Sequence, residues 1–96
     1  MSRVEAALMA ATQRPVAQAA LEEPAGDRPL WAEVPSASVH GDLDLNIPPA
    51  ALRAMALRAR ARQTVELAGA SHALAVSRPS EVAEVILQAA AQAAAA

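Results

Sequence analysis

Alanine occupies 28 of the 96 positions of this chain, and this preference limits what the chain can fold into. Hydrophobic residues make up 54% of the sequence, yet once alanine is set aside only 24 large ones remain. Burying a large aliphatic side chain contributes about 1.5–3 kcal/mol, whereas ordering one residue costs roughly 1.5 kcal/mol of conformational entropy. A self-sufficient core is therefore not expected, and the length allows at most one small domain.

The composition excludes several classes of function. Without cysteine there is no disulfide, no thiolate metal site and no cysteine nucleophile. With only two histidines, His40 and His72, we expect neither a zinc site nor another cofactor. The net charge of −2 and the absence of Phe and Tyr argue against nucleic acid as a partner. Neither a signal peptide nor ~20 consecutive apolar residues occur, which predicts a cytoplasmic chain without a membrane partner.

Residues 1–34 predict two short helices followed by a loop. Apolar residues recur at helical spacing over residues 3–12, and a second helix is predicted over residues 16–23. Prolines and a glycine make the next stretch a loop. Trp31, at the end of this loop, is expected to anchor it on a core.

The remainder of the chain, residues 35–96, alternates between strand and helix patterns. The predicted elements are a strand over residues 36–40, a helix over 50–60, a strand over 63–67 and a final helix that opens at Pro79. A strand–helix–strand unit of this length joins its strands in parallel through a right-handed crossover. Parallel sheets normally have more than two strands and are covered on both faces. The fold class is therefore α/β, and the chain is expected to be part of one larger domain.

The helix predicted over residues 50–60 and the residues just after it carry four arginines that fall largely on one side: Arg53, Arg58, Arg60 and Arg62. A solvated helix face is favoured here over a patch that binds phosphate.

Chemistry is expected where the two predicted strands end. In open parallel sheets, ligands bind beyond the carboxyl ends of the strands. Asp42 and Asp44 follow the first strand, and His72 follows the second. A carboxylate in such a place can fix the tautomer of an imidazole and stabilise the imidazolium that forms when the histidine accepts a proton. The structural alternative is that Asp44 caps the next helix and that His72 is an ordinary loop residue.

Several segments resemble a known family. Residues 40–49, His-Gly-Asp-Leu-Asp-Leu-Asn-Ile-Pro-Pro, resemble the acid loop of the alpha/beta hydrolases. In one bacterial branch this loop reads Gly, two variable residues, Asp, two more residues and then Ile-Pro-Pro. Five further segments are similar to the same branch in the same order: residues 13–15, 31–35, 55–61, 69–79 and 82–86. The resemblance implies that residues 1–34 return from a cap and that residues 35–96 form the C-terminal core segment.

The resemblance also assigns roles to the candidate site residues. It implies that Asp44 is the acid of a catalytic triad and that His72 is its base, with Asp42 competing for the role of the acid. The order of acid and then histidine along the chain agrees with the Ser…Asp…His order of the fold.

The nucleophile of the family has no counterpart in this sequence. It sits in a Gly-x-Ser-x-Gly elbow between a strand and a helix. None of the three glycines, Gly26, Gly41 and Gly69, brackets a serine in this way. Ser71, directly before His72, is a poor substitute because no elbow aims its hydroxyl.

Two functions of different classes follow from these observations. The first is the C-terminal part of an alpha/beta hydrolase from a truncated or split gene, inactive alone and completed by an upstream-encoded half. The complete enzyme would act on an ester or a similar small substrate, so whether this chain is itself an enzyme stays open. The alternative is a non-catalytic interaction module that self-associates or docks through an exposed sheet edge.

Overall fold

A computed structural model describes residues 1–95 of the chain, and Ala96 lies outside the described residues. Its sheet has two strands, β1 (Ala37–Gly41) and β2 (Gln63–Leu67). The helices are α1 (Arg3–Thr12), α2 (Gln18–Glu22), α3 (Pro49–Arg58), α4 (Leu74–Ser77) and α5 (Pro79–Ala95), with a single 3-10 turn at Leu30–Ala32. The strands are parallel and α3 connects them, so the prediction of an α/β fold is confirmed at the level of a small open sheet with several helices.

The observed elements differ from the predicted ones mainly at their ends. β2 begins and ends where the sequence predicts, whereas β1 lies one residue later than expected. The second helix covers only Gln18–Glu22, because Ala17 precedes it and offers no side chain to cap its first turn. α4 and the 3-10 turn were not predicted, since elements this short carry no recognisable periodicity.

Helices lie on both faces of the sheet. The strands pair in register from Ala37 opposite Gln63 to Gly41 opposite Leu67. On one face, the side chain of Gln63 bonds to Gln88 of α5 at 2.8 Å. On the other face, α3 packs against β1, and side chains of the strands reach it. The helix–sheet–helix layers of residues 1–95 therefore cover a sheet of only two strands.

Proline sets the start of the two helices that flank the sheet. Pro48 takes the cap position of α3 and Pro49 its first turn, where a missing backbone N–H costs nothing. Pro79 opens α5 in the same way. The crossover helix therefore begins at a fixed point, with seven residues between it and the end of β1.

The buried core is small and partly polar. The buried apolar residues are Ala56, Ala70, Leu74 and Val85, and no residue of α1 or α2 is buried. Two polar residues are buried with them: His40 is 3% exposed and Asp44 is 6% exposed. Within residues 1–95, no helix combines the length and the apolarity that a membrane span requires.

The prediction that Trp31 anchors its loop on a core is wrong, because Trp31 is not buried. The residue is 40% exposed, and its ring lies under the guanidinium of Arg58 at 4.8 Å from the ring centre. The contact is a cation–π interaction with the end of α3. Trp31 therefore fastens the loop to the surface of a helix rather than to a core.

Candidate functional site

Two loops that leave the carboxyl ends of the strands meet above the sheet. We name residues 42–48, between β1 and α3, the acid loop, and residues 68–73, between β2 and α4, the histidine loop. Because β1 and β2 are parallel neighbours, both loops leave from the same end of the sheet. The structure therefore brings together the residues that the sequence singled out.

Asp44 is held by three hydrogen bonds in a buried position. Its side chain is only 3% exposed. One carboxylate oxygen, Oδ1, accepts the backbone N–H groups of Asn46 at 2.8 Å and Ile47 at 2.9 Å. The other, Oδ2, lies 2.7 Å from Nδ1 of His72. The two backbone donors leave Oδ2 directed at the imidazole.

These contacts determine the charge on Asp44. Burial raises the pKa of this carboxyl, but the hydrogen bonds from Ile47, His72 and Asn46 outweigh it and hold the pKa below its usual range. The group is therefore ionised at neutral pH and can only accept hydrogen bonds. It follows that Nδ1 of His72 carries a proton and donates a hydrogen bond to Oδ2. In the Nδ1–H tautomer of an imidazole, the ring lone pair is on Nε2.

The imidazole of His72 is half-exposed, since 49% of the side chain is accessible to solvent. Within residues 1–95, its imidazole makes a single hydrogen bond, the one to Asp44. Nε2 therefore has no hydrogen-bond partner among the described residues. A half-exposed histidine whose Nδ1 is bonded to a buried carboxylate has the geometry of a general base.

Asp42 has a different role from Asp44. Its Oδ1 accepts the backbone N–H of Gly69 at 2.7 Å, and its own N–H donates to the carbonyl oxygen of Leu67 at 3.2 Å. Asp42 therefore joins the two loops without contacting His72, and of the two acids it is Asp44 that pairs with the imidazole.

The helix-capping alternative for Asp44 does not describe its position. The cap residue of α3 is Pro48, which makes no side-chain cap hydrogen bond. Asp44 instead closes a turn within the acid loop through the N–H groups of Asn46 and Ile47. Its second oxygen stays available for His72.

The two loops approach so closely that the last residue of β1 must be glycine. A Cβ added at Gly41 would lie 2.1 Å from the carbonyl oxygen of Ala70 and 2.5 Å from its carbonyl carbon. The N–H of Leu43 donates to that same oxygen at 3.0 Å. Backbone contacts of this kind cannot be relieved by moving a side chain.

Ser71 is not hydrogen-bonded to His72. Its hydroxyl oxygen is buried and has no hydrogen-bond partner among the described residues. The structure thus brings the acid and the histidine together and leaves the serine adjacent in sequence out of the site.

A second charged cluster, which no sequence pattern predicted, lies on the α3 face of the sheet. Glu66 of β2 accepts two hydrogen bonds from Arg53 of α3, at 2.6 and 3.0 Å, and its Oε2 lies 2.7 Å from Nε2 of the buried His40. The bonds to Arg53 and then to His40 lower the pKa of Glu66 to about 2. Arg53 is thus not on the purely solvated face that was predicted. No sequence signal placed residue 40 opposite residue 66, because the predicted strands, aligned end to end, would pair residue 40 with residue 67.

Other possible sites are less well equipped. Within residues 1–95, no group of three or more potential ligands is placed to hold a metal ion. An open apolar cleft of about 390 Å³ lies between Trp31, the start of β1 and α3, with Leu52 and Met55 in its wall. It is at the end of β1 opposite to the acid loop, so it does not adjoin His72.

Comparisons of the chain with protein-family models, with curated proteins and with solved structures find no match.

Proposed function

We propose that this chain supplies the acid and the histidine of an alpha/beta hydrolase whose nucleophilic serine lies outside these 96 residues. The observation that carries the proposal is the 2.7 Å contact between His72 Nδ1 and Asp44 Oδ2, with the carboxylate buried and the imidazole half-exposed. The resemblance of the acid loop and the histidine loop to those of the family supports the same assignment.

The proposed chemistry is acyl transfer from an ester or a similar small substrate. His72 Nε2 takes the proton of the external serine hydroxyl while that oxygen attacks the carbonyl carbon. Asp44 stays ionised throughout and stabilises the imidazolium. His72 then gives the proton to the leaving alcohol, and in a second round it activates water against the acyl-enzyme, which regenerates the serine. The donors that stabilise the oxyanion are also expected from outside this chain.

The amount of exposed surface supports completion by another protein body. The chain exposes 7487 Å², whereas a compact monomer of 9.8 kDa exposes about 5,200 Å². The excess of roughly 2,300 Å² is comparable to what one partner buries in a large permanent interface. Within residues 1–95, one edge of β1 has no neighbouring strand and offers backbone groups to a further one. We therefore infer that the serine-bearing body covers this surface, as a preceding segment or as a separate chain.

The same exposed surface favours a second candidate, a non-catalytic module that pairs with a second copy of itself. Light scattering of the purified chain across concentrations separates the two. A dimer that dissociates on dilution supports self-association, and a chain that stays monomeric at all concentrations removes it.

The enzymatic proposal is tested in the native assembly, isolated through a tag added to the chain at its own chromosomal locus. Hydrolysis of p-nitrophenyl acetate is the readout. His72→Ala is expected to lower kcat by roughly a thousandfold or more, and Asp44→Asn to lower it strongly. Asp27→Asn, an exposed loop position, is the matched control and should leave kcat unchanged.

The purified 96-residue chain completes the test. It should hydrolyse the ester no faster than a free histidine side chain does. Robust turnover by the isolated chain that His72→Ala abolishes would contradict the need for an external serine. Unchanged turnover of the native assembly in His72→Ala would contradict the hydrolase proposal itself.

A further inference from the structure

The histidine loop begins with a turn that needs outside support. The N–H of Ala70 donates to the carbonyl oxygen of Leu67 at 3.4 Å, which closes a β-turn with Gly69 in its third position. Gly69 has φ +71, a left-handed conformation that favours glycine. The closing bond is long, so the turn alone fixes the path toward His72 only weakly.

The acid loop supplies the missing support through two consecutive residues. The carboxylate of Asp42 accepts the N–H of Gly69 at 2.7 Å, within the turn itself. The N–H of Leu43 donates to the carbonyl oxygen of Ala70 at 3.0 Å, directly after it. Asp44 follows these two anchors along one loop, and His72 follows their partners along the other.

We propose that Asp42 is a positioning residue for His72: its carboxylate holds the turn at Gly69, and this turn sets where the imidazole stands relative to Asp44. The catalytic importance of this arrangement rests on the proposed function, whereas the positioning itself does not. Asp42 acts by accepting one hydrogen bond, so a neutral acceptor at the same place should serve equally well.

The need for an acceptor rather than a charge separates this role from that of a triad acid. Asn in place of Asp42 retains an oxygen at the position of Oδ1 and can still accept from Gly69. Ala removes the acceptor and leaves the Gly69 N–H without its partner. If the negative charge of Asp42 acted on His72 directly, Asn and Ala would be equally harmful.

The experiment uses the ¹⁵N-labelled 96-residue chain and two readouts from nuclear magnetic resonance. One is the exchange rate of the Gly69 amide, and the other is the tautomer of His72 from its ring nitrogen shifts. In Asp42→Ala, we expect Gly69 exchange to be faster by about tenfold or more, with His72 moving away from the Nδ1–H form. In Asp42→Asn, both readouts should match the unaltered chain. Asp27→Ala, at an exposed loop position, is the matched control.

Two results overturn the proposal. One is Asp42→Ala with unchanged Gly69 exchange and an unchanged His72 tautomer. The other is Asp42→Asn that loses both signatures, because charge and not acceptor geometry would then be responsible. If Asp42→Ala does not fold, Asp42→Ser replaces it, and its shorter hydroxyl should give a partial loss of both signatures, whereas unchanged signatures would overturn the proposal.

Asp44→Asn distinguishes failure of this inference from failure of the proposed function. If Asp44→Asn removes the Nδ1–H form and Asp42→Ala does not, the Asp44–His72 pair stands and only the role of Asp42 fails. If neither variant changes the tautomer, the pair itself is absent in solution and the proposed function fails with it.

Discussion

Gly41, the last residue of β1, lies directly against the backbone of Ala70 in the histidine loop. We expect Gly41→Ala to destabilise the chain by about 1–3 kcal/mol, since its Cβ would meet the backbone of Ala70 at 2.1 Å and force the loops apart. Urea unfolding followed by circular dichroism measures this change. Gly26→Ala is the matched control, because a Cβ there meets nothing within 4 Å and only its φ of +83 opposes the substitution. A smaller effect at Gly41 than at Gly26 would contradict the close approach.

Glu66 should make the stability of the chain depend on pH in the acid range. Its bonds to Arg53 and His40 lower its pKa from 4.5 to about 2. A carboxyl whose pKa is lower in the folded state stabilises that state fully above the unfolded value, and this contribution is lost as the pH falls through the folded value. The loss should therefore occur between about pH 4.5 and pH 2.

Glu66→Gln tests this directly through urea midpoints measured across that range. The variant should be less stable than the unaltered chain at pH 7 but should lose less stability between pH 4.5 and pH 2. Glu23→Gln, at an exposed position, should lose as much stability over this pH range as the unaltered chain. If Glu66→Gln and the unaltered chain lose stability equally as the pH falls, the cluster does not form.

At the scale of single residues, the sequence predicts which groups meet but not how they are held. Their position directly after a predicted strand was enough to identify Asp42, Asp44 and His72 as candidate site residues. That position does not say which acid pairs with His72, because this depends on which carboxylate bonds to the imidazole and which to Gly69. It also missed Glu66, whose partners come from a neighbouring strand and from a helix.

Among the elements, α1 folds on its own local interactions. Ser2 and Glu5 form a reciprocal capping box, and no residue of α1 is buried. Ser2→Ala should therefore destabilise this helix by about 1 kcal/mol and lower its population. Carbon chemical shifts of residues 3–12 report that population. The urea midpoint of the remaining chain should stay unchanged, and a clear drop in that midpoint would mean that α1 packs on the core after all.

The elements that sequence predicts best are those with strong local signals. β2 has β-branched residues at its centre, and α3 and α5 begin at prolines, so their starts lie within a residue of the prediction. α4 has four residues and lies between the histidine loop and α5. A segment this short shows no helical periodicity, so its sequence does not predict it.

For the whole molecule, the sparse core should show itself in the denaturant dependence of unfolding. Given its 7487 Å² of exposed surface, the chain exposes on unfolding about three quarters of the area that a compact domain of this size would. The slope of the free energy of unfolding against urea should be about a quarter lower than for a compact domain of equal length. A slope at or above that of a compact domain would contradict the open surface.

The scarcity of large apolar residues and this open surface have one physical cause. Twenty-eight alanines leave too few large side chains to cover two strands and five helices. The sequence predicts that shortage correctly.

The most direct test of the central proposal is covalent labelling of the nucleophile. A fluorophosphonate probe reacts with a serine only when a neighbouring base has activated it. Applied to the native assembly that contains this chain, it should label one serine within a Gly-x-Ser-x-Gly sequence outside the 96 residues, and His72→Ala should abolish the label. Absence of labelling, or labelling that His72→Ala leaves intact, would contradict the role of Asp44 and His72 as the acid and base of a hydrolase.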